Sequence, residues 1–208
     1  AQVTVALGGD GGDELFAGYQ TFQAEKVYNY QSILPFHFGS ALIHVAADLV
    51  PVSNAYISNE VKRRKFLEGV DEPDMARRHM RWMGTFNEEE SIKIFHPEIH
   101  NSATLDPYGF AKAYVDSSHL RDEHNKLLWM YQRTYMMDQV MVKVDRATMY
   151  NALEARAPFL DMNVVEFANS LPYGMKLHGL TPKYLLKKTM EGKLPRDIIY
   201  RTKKGFGV

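Results

Sequence analysis

The sequence contains no cysteine, which excludes disulfide bonds and cysteine-ligated zinc. Its 25 lysines and arginines balance 25 aspartates and glutamates, so no net charge attracts nucleic acid or an anionic membrane surface. No apolar run approaches the roughly 20 residues that span a bilayer, and no signal-peptide pattern is visible. We therefore expect a cytoplasmic protein that binds neither nucleic acid nor membrane.

An internal repeat, a low-complexity segment and an initiating methionine are also missing. The chain starts at Ala1 and enters an apolar, β-branched run at residues 3–7, which predicts a buried strand. We identify no second convincing strand run downstream. Because a lone buried strand has no partners for its ladder hydrogen bonds, we expect residues 1–208 to be part of a longer domain whose other strands lie upstream.

Residues 8–16, GGDGGDELF, connect this strand to residues 13–34, which the pattern predicts to be helical. Glycines allow positive φ and close approach of the backbone to a ligand, and a helix N-terminus offers unpaired N–H groups to an anion. Two aspartates suit an anion that arrives with Mg²⁺, whose preferred ligands are carboxylate and phosphate oxygens. The segment therefore predicts a magnesium–nucleotide loop.

Other interpretations of this loop are weaker. A calcium-binding β-helix repeat would need stacked tandem copies, and the chain has one copy. A dinucleotide fingerprint lacks its third glycine. A tight turn with Asp13 as the helix cap and Glu14 in the first turn is compatible with the nucleotide interpretation and can hold in addition to it.

The longest helical pattern covers residues 121–153 and places two carboxylates, Asp138 and Asp145, on an otherwise apolar face. A buried carboxylate is costly unless it is paired. The two aspartates are therefore either neutralised inside the fold by Lys143, Arg146 or Arg156, or they face a polar cleft.

The segment LEARAPFLD, residues 153–161, ends that helix because Pro158 disfavours helical backbone at the preceding residue. Glu154 and Arg156 then project from an extended stretch, either as an ion pair that fixes the corner or as holders of a charged substrate. Asp161 is expected to cap a helix that ends near Ser170.

Near the C-terminus, Thr181 and Pro182 fit the N-cap and first position of a helix, which puts Lys183 at its second position. A lysine there opposes the helix dipole, and a local rule broken at one point indicates function. Lys187 and Lys188 are expected to be ordinary exposed residues. The basic tail from Arg196 to Lys204 either closes over phosphates or is a solvated terminus.

Together these segments resemble the C-terminal synthetase domain of glutamine-dependent asparagine synthetases and their amidotransferase relatives. The resembling segments occur in the family's order: LGGDGGDELFAGY (7–19), VKVDRATM (142–149), LEARAPFLD (153–161), KYLLK (183–187) and RTKKGFG (201–207). Residues 35–120 match only loosely.

The resemblance implies that ATP activates a carboxylate as an acyl-adenylate with release of pyrophosphate, and that ammonia from glutamine then attacks to form an amide. Aspartate is the default carboxylate. The implied fold is a mainly α fragment of an α/β adenine-nucleotide domain of the ATP-pyrophosphatase type, with one N-terminal strand followed by a helical bundle. Residues 1–208 would be the C-terminal part of that single domain, without its upstream pyrophosphate loop and glutaminase domain, and a homodimer is one assembly it allows.

The resemblance also implies roles for individual residues. Gly8 and Gly9, with Gly11, match the backbone that contacts ATP, and Asp13 matches a magnesium ligand. Asp10 matches an acidic position implicated in forming the acyl-adenylate and handling the amine, and Lys183 matches the lysine that contacts the phosphates. Asp145, Glu154 and Arg156 are expected to surround the substrate cleft.

Two positions depart from the family pattern. Many asparagine-forming members carry serine where this chain has Gly8 and glutamate where it has Asp10. The shorter Asp10 draws its carboxylate back by about one methylene, which points to the wider group of relatives that amidate other carboxylates or close rings. A helical module that only binds a partner domain is the alternative from another class.

Overall fold

The computed structural model describes residues 3–31, 59–84, 86, 88–96, 98 and 106–201. Most of these residues are helical, and the few strands are two or three residues long. In chain order the elements are β1 (Val5–Leu7), α1 (Gly12–Leu15), α2 (Gln20–Gln31), α3 (Asn59–Val70), α4 (Met75–Met83), α5 (Glu88–Ile94), α6 (Gly109–Asp116), α7 (Glu123–Tyr131), a π-helix (Gln132–Met141), α8 (Val142–Met149), β2 (Glu154–Arg156), a 3₁₀ helix (Pro158–Leu160), α9 (Met162–Ser170), α10 (Tyr173–Lys176), β3 (Leu177–His178), β4 (Thr181–Pro182), α11 (Tyr184–Met190) and α12 (Arg196–Ile199).

The mainly helical character is as predicted, but the expectation of a single strand, at the N-terminus, is wrong. β1 pairs in parallel with β2, so that Val5 lies opposite Glu154 and Leu7 opposite Arg156. A second, antiparallel pair joins β3 to β4. β2 escapes sequence analysis because two of its three residues are charged and its partner lies almost 150 positions away in the chain.

The helix predicted at residues 13–34 is interrupted. α1 ends at Leu15, and α2 starts only at Gln20. Between them Ala17 adopts a left-handed conformation with φ of 53°, which ordinary side chains seldom adopt and which a continuous helix cannot contain. The break produces a tight turn directly behind the glycine loop.

The long helix predicted at residues 121–153 is observed as α7, the π-helix and α8 in direct succession, from Glu123 to Met149. Asp122 caps its start by accepting a hydrogen bond from the Asn125 N–H. The wider π-helical turn shifts the helix register, so the predicted apolar face does not continue past it. Asp138, Val142, Asp145 and Met149 are accordingly exposed. π-helical segments are rare and often lie beside functional sites.

The chain divides into two compact units. One consists of residues 1–23 and 114–200, and its apolar core is formed by Leu15, Phe16, Ala168 and Leu171. Phe159, Leu160, Val165, Leu185 and Leu186 pack against that core. This packing fixes the turn behind the glycine loop against the 3₁₀ helix, α9 and α11.

The other unit contains the described residues between 24 and 113, and its core is built around Tyr28, Val70 and Trp82. Beside it lies a buried ionic cluster. The Arg78 guanidinium donates two hydrogen bonds to the Glu25 carboxylate, at 2.7 and 2.8 Å, and stacks 3.7 Å from the centre of the Tyr28 ring. His79 Nε2 lies 3.5 Å from the same carboxylate.

This cluster makes the stability of the unit dependent on acid pH. Burial raises the pKa of Glu25, but the hydrogen bonds and charges of His79 and Arg78 outweigh it and lower the pKa from 4.5 to about 2. The folded state thus binds fewer protons than the unfolded state between these values, so the stabilisation is complete above pH 4.5 and is lost as the pH falls towards 2. We expect Glu25 to account for about 3 kcal/mol of unfolding free energy lost over that range. Urea unfolding at several pH values should show this slope, and a Glu25→Gln variant should lack it.

None of the helices in the described part of the chain has the length and apolar composition needed to cross a bilayer.

Candidate nucleotide-binding site

The glycine loop follows β1 directly, at the edge where β1 and β2 both end. The Gly8 N–H donates a hydrogen bond to the Arg156 carbonyl oxygen at 2.8 Å, which fixes the start of the loop on β2. Gly11 then turns with φ of 86° and precedes α1, and a side chain at this position would overlap Leu160. The loop therefore lies at the carboxyl ends of two parallel strands, where α/β proteins commonly bind their ligands.

Asp13 and Lys183 meet beside this loop. The Lys183 Nζ lies 3.0 Å from Asp13 Oδ1, although the two residues are 170 positions apart in the sequence. Both side chains are partly exposed, Lys183 by 31% and Asp13 by 24%, so a ligand can reach them. Asp13 does not cap α1 as expected, because Gly11 occupies the N-cap and Asp13 is the second helical residue.

Lys183 reaches the loop because its backbone is held there. It is not the second residue of a helix that starts after Thr181, as the sequence predicts. Thr181 and Pro182 form β4, and Lys183 adopts a left-handed conformation, with φ of 53° and ψ of 37°, immediately before α11. Its N–H donates a hydrogen bond to the Phe16 carbonyl oxygen at 3.1 Å. This contact with a distant segment explains a backbone conformation that no local pattern indicates.

The turn between α1 and α2 packs directly against the side chains of Asp13 and Lys183. The Gly18 N–H donates to the Asp13 carbonyl oxygen at 2.8 Å and closes the turn. A Cβ atom on Gly18 would overlap both Asp13 Oδ1 and Lys183 Cε. Gly18 is therefore required to be glycine by the close packing of the pair, which the motif alone does not reveal.

Substitution of Gly18 by alanine should displace the Asp13–Lys183 pair. Because the added methyl group occupies the space of both side chains, we expect a loss of about 1–3 kcal/mol of stability, typical of overpacking. Any reaction that depends on the Asp13–Lys183 pair should slow by at least about tenfold, since displacement of reacting groups by an ångström is costly. Thermal unfolding and initial rates measure the two effects.

Gly174→Ala is the matched control, because a Cβ atom at Gly174 meets nothing within 4 Å. Equal activities for the two variants would contradict the proposed packing of the pair.

Glu14 and two tyrosines lie next to Asp13, and no pattern in the sequence indicates a role for them beyond the first-turn position of Glu14. Glu14 is almost fully buried, and the Tyr19 hydroxyl donates a hydrogen bond to its Oε1. Burial first, then this hydrogen bond and the charges of Glu14 and Asp13, raise the pKa of Tyr19 far above its usual value. Burial and the same two charges raise the pKa of Tyr135, whose ring packs edge-on to Tyr19 from the π-helix. Both phenols therefore remain protonated donors beside the carboxylates.

Asp10 and Gly9 complete the loop. Asp10 is half-buried, and its carboxylate turns back over Gly8: a Cβ atom on Gly8 would lie 2.6 Å from Asp10 Oδ2. Gly9 is exposed, and a Cβ atom there would meet nothing within 4 Å. The structure thus places Lys183 beside Asp13, directly after the loop that contains Gly8, Gly9, Asp10 and Gly11, and the roles of these residues stay predictions.

Glu154 and Arg156 form an ion pair with each other, in which Arg156 Nε donates to Glu154 Oε1 at 2.8 Å. Both side chains are more than half exposed. Of the two arrangements left open for this corner, the ion pair is present, and contact with a substrate stays a prediction. Asp145 is exposed on α8, so it is not neutralised inside the fold in the described part of the chain.

The residues of the basic tail after Arg201 lie outside the described residues. In the described part of the chain, no three His, Asp or Glu side chains are grouped closely enough to hold a metal ion between them.

Comparison with known proteins gives consistent matches to one family. The family model described as asparagine synthase matches residues 1–208. Glutamine-hydrolyzing asparagine synthetase 1 of Bacillus subtilis is 31% identical over 212 residues, which cover 99% of this chain and 31% of that protein. A putative glutamine-hydrolyzing asparagine synthetase of Mycobacterium bovis is 29% identical over 210 residues, or 99% of this chain and 30% of that protein. The asparagine synthetase of Gallus gallus is 31% identical over 121 residues, or 56% of this chain and 20% of that protein. The search of solved structures gives no match.

Proposed function

Because the chain belongs to the asparagine synthase family, we propose that it forms the C-terminal part of a synthetase domain that makes an amide at the expense of ATP. The chain spans about a third of the length of the first two relatives described above. We infer that an upstream pyrophosphate loop and a glutaminase domain complete the enzyme, and that residues 1–208 alone are inactive. The default reaction is conversion of aspartate to asparagine in the cytoplasm, through an acyl-adenylate and with ammonia derived from glutamine.

The observation that carries this proposal is the approach of Lys183 to Asp13 beside the glycine loop, with 3.0 Å between Nζ and Oδ1. A carboxylate and an ammonium side by side, both within reach of solvent, can hold a metal-bound polyphosphate between them. Lys183 would then neutralise phosphate charge that grows as pyrophosphate leaves, an electrostatic contribution that is usually large in such sites. Because the hydrogen bond to Phe16 holds the Lys183 backbone, the ammonium group would need little rearrangement as this charge develops.

The donor set fits Mg²⁺ that arrives on the nucleotide. Such a magnesium ion needs only one or two protein carboxylates, because phosphates and water fill its other positions. We propose Asp13 as that ligand and the backbone of Gly8, Gly9 and Gly11 as contacts of ATP. When bound, Mg²⁺ supplies charge neutralisation and alignment of the phosphates. Asp10 would accept a proton from the incoming amine, and Asp145, Glu154 and Arg156 would border the cleft.

The products of ATP test this proposal. The full-length protein, incubated with ATP, Mg²⁺, aspartate and ammonium, should form AMP and pyrophosphate in equal amounts together with asparagine. Omission of the carboxylate should stop AMP formation. Formation of ADP and phosphate instead would exclude adenylation, and absence of any turnover would favour a non-catalytic module that binds a partner domain.

A second candidate function is amide formation or ring closure on another carboxylate by the same chemistry. The observation that favours it is Asp10 itself, whose side chain is about one methylene shorter than glutamate and whose carboxylate turns back over Gly8. Comparison of AMP formation rates across a set of carboxylic acids, with aspartate as reference, discriminates the two. A higher kcat/KM for another acid than for aspartate would select this second function.

A further inference from the structure

Lys187 lies one helical turn after Lys183 and differs from the exposed residue that the sequence predicts. The Lys187 N–H donates to the Lys183 carbonyl oxygen at 2.9 Å. The two lysines therefore lie on the same side of α11, with Lys183 at the N-cap position. Lys183 and Lys187 are both partly buried, whereas the adjacent Lys188 is exposed.

The charges on this face are not balanced. Asp13 is the ion-pair partner of Lys183, and Lys188 reaches both carboxylate oxygens of Glu191 at 3.1 Å. In the part of the chain that the structure describes, Lys187 has no carboxylate at ion-pair distance, and its Nζ lies 5.6 Å from the centre of the Tyr200 ring. Of these three lysines, Lys187 is therefore the one whose charge no carboxylate of the described residues pairs with.

This imbalance costs free energy in the absence of an anion. Burial and the nearby charge of Lys183 lower the pKa of Lys187, whereas the hydrogen bond with Glu191 raises the pKa of Lys188. A bound anion would favour the charged form of Lys187 and remove the repulsion between the two lysines.

We propose that Lys187 is a second cation for the polyphosphate that Lys183 binds, with its ammonium group on phosphate oxygens of the nucleotide or of the pyrophosphate product. The inference rests on the proposed function, since it needs a polyphosphate beside Lys183. It follows from the charge that such a ligand carries: a metal-bound triphosphate retains more than one negative charge, and a single lysine paired to Asp13 does not balance it. Lysine acts as a point charge towards phosphate, so a half-buried lysine one turn away can share this task.

The test compares Lys187→Gln with Lys188→Gln in the full-length protein. These variants remove the same charge from neighbouring positions of the same helix. Calorimetric binding of MgATP, of magnesium pyrophosphate and of AMP should show that Lys187→Gln weakens the first two by about tenfold, the loss expected for one charge-assisted hydrogen bond. AMP, which lacks the outer phosphates, should bind as it does to the wild type. Lys188→Gln should leave all three affinities within about twofold of the wild type.

If Lys187 had only a structural role, Lys187→Gln would weaken the binding of AMP as well as that of MgATP and magnesium pyrophosphate. If Lys187 binds phosphate, Lys187→Arg restores the charge and should recover the binding of MgATP and magnesium pyrophosphate. If wild-type protein binds MgATP, and Lys183→Gln weakens that binding, while Lys187→Gln behaves like Lys188→Gln, the inference about Lys187 is wrong and the proposed function stands. If the wild type binds no MgATP, the proposed function fails, and the inference fails with it.

Discussion

Replacement of Lys183 by glutamine is expected to lower kcat for ATP-dependent AMP formation by about 10²–10³-fold, the range seen when one preorganised group that stabilises transition-state charge is removed. The physical reason is the position of its ammonium, 3.0 Å from Asp13 Oδ1 and beside the glycine loop. Glutamine preserves much of the side-chain length but removes the charge. Steady-state rates of AMP and pyrophosphate release by the full-length protein measure the effect.

Lys188→Gln is the matched control for this substitution. Lys188 lies five residues after Lys183, is exposed and forms an ion pair with Glu191. Its rate should stay within about twofold of the wild type, as expected for a surface ion pair. The backbone hydrogen bond from Lys183 to Phe16 does not depend on the side chain, so the variant should fold. A Lys183→Gln enzyme with more than a third of wild-type kcat would contradict the assigned role.

Replacement of Arg78 by alanine should cost about 3–5 kcal/mol of unfolding free energy in its unit, because it leaves the buried Glu25 carboxylate without its main partner. Both side chains of this pair are nearly inaccessible, with 3% and 2% of their surface exposed. The loss includes the cation–π contact with Tyr28 and the hydrogen bond at 3.1 Å to the Pro73 carbonyl oxygen. Equilibrium unfolding in urea, followed by circular dichroism, gives the difference.

Arg64→Ala is the corresponding control, since Arg64 is 74% exposed and lies 3.8 Å from Glu68. It should change the unfolding free energy by less than about 0.5 kcal/mol. The double variant Glu25→Gln with Arg78→Met should recover part of the loss, because replacement of both charges removes the unpaired carboxylate. A loss below about 1 kcal/mol for Arg78→Ala would show that the cluster is solvated or rearranged.

Local signals predict the local features of this chain well. Asp161 caps α9 by accepting a hydrogen bond from the Asn163 N–H, and α9 ends at Ser170 as expected. Ala157 is extended before Pro158 as predicted, and Pro158 starts a 3₁₀ helix, but the long helix already ends at Met149 and not at this proline. In each case the decisive hydrogen bond or steric restriction lies within a few residues, so the sequence alone contains it.

Features set by distant partners are missed. The strand Glu154–Arg156 exists because its backbone pairs with β1, and its own residues give no strand pattern. Lys183 becomes left-handed because Phe16 accepts its N–H. The π-helix is missed for a different reason, since its contacts are local, such as the hydrogen bond of 2.7 Å from the Thr134 hydroxyl to the Met130 carbonyl oxygen. Apolar spacings of three and four predict an ordinary α-helix there.

The candidate site shows the same division. The glycine loop stands out in the sequence by its residue types and Lys183 by its match to the family motif, although the helix position that singled out Lys183 is wrong. The burial of Glu14 and the packing of Gly18 against the Asp13–Lys183 pair become visible only when the chain is folded. Lys187 and Lys188 look alike in sequence, and only their different surroundings separate them.

A structure of the full-length protein with Mg²⁺ and pyrophosphate tests the central claim most directly. The claim predicts phosphate oxygens within hydrogen-bond distance of the Lys183 ammonium, and the Asp13 carboxylate on the magnesium ion. Pyrophosphate bound elsewhere, with Asp13 and Lys183 still paired only to each other, would contradict it.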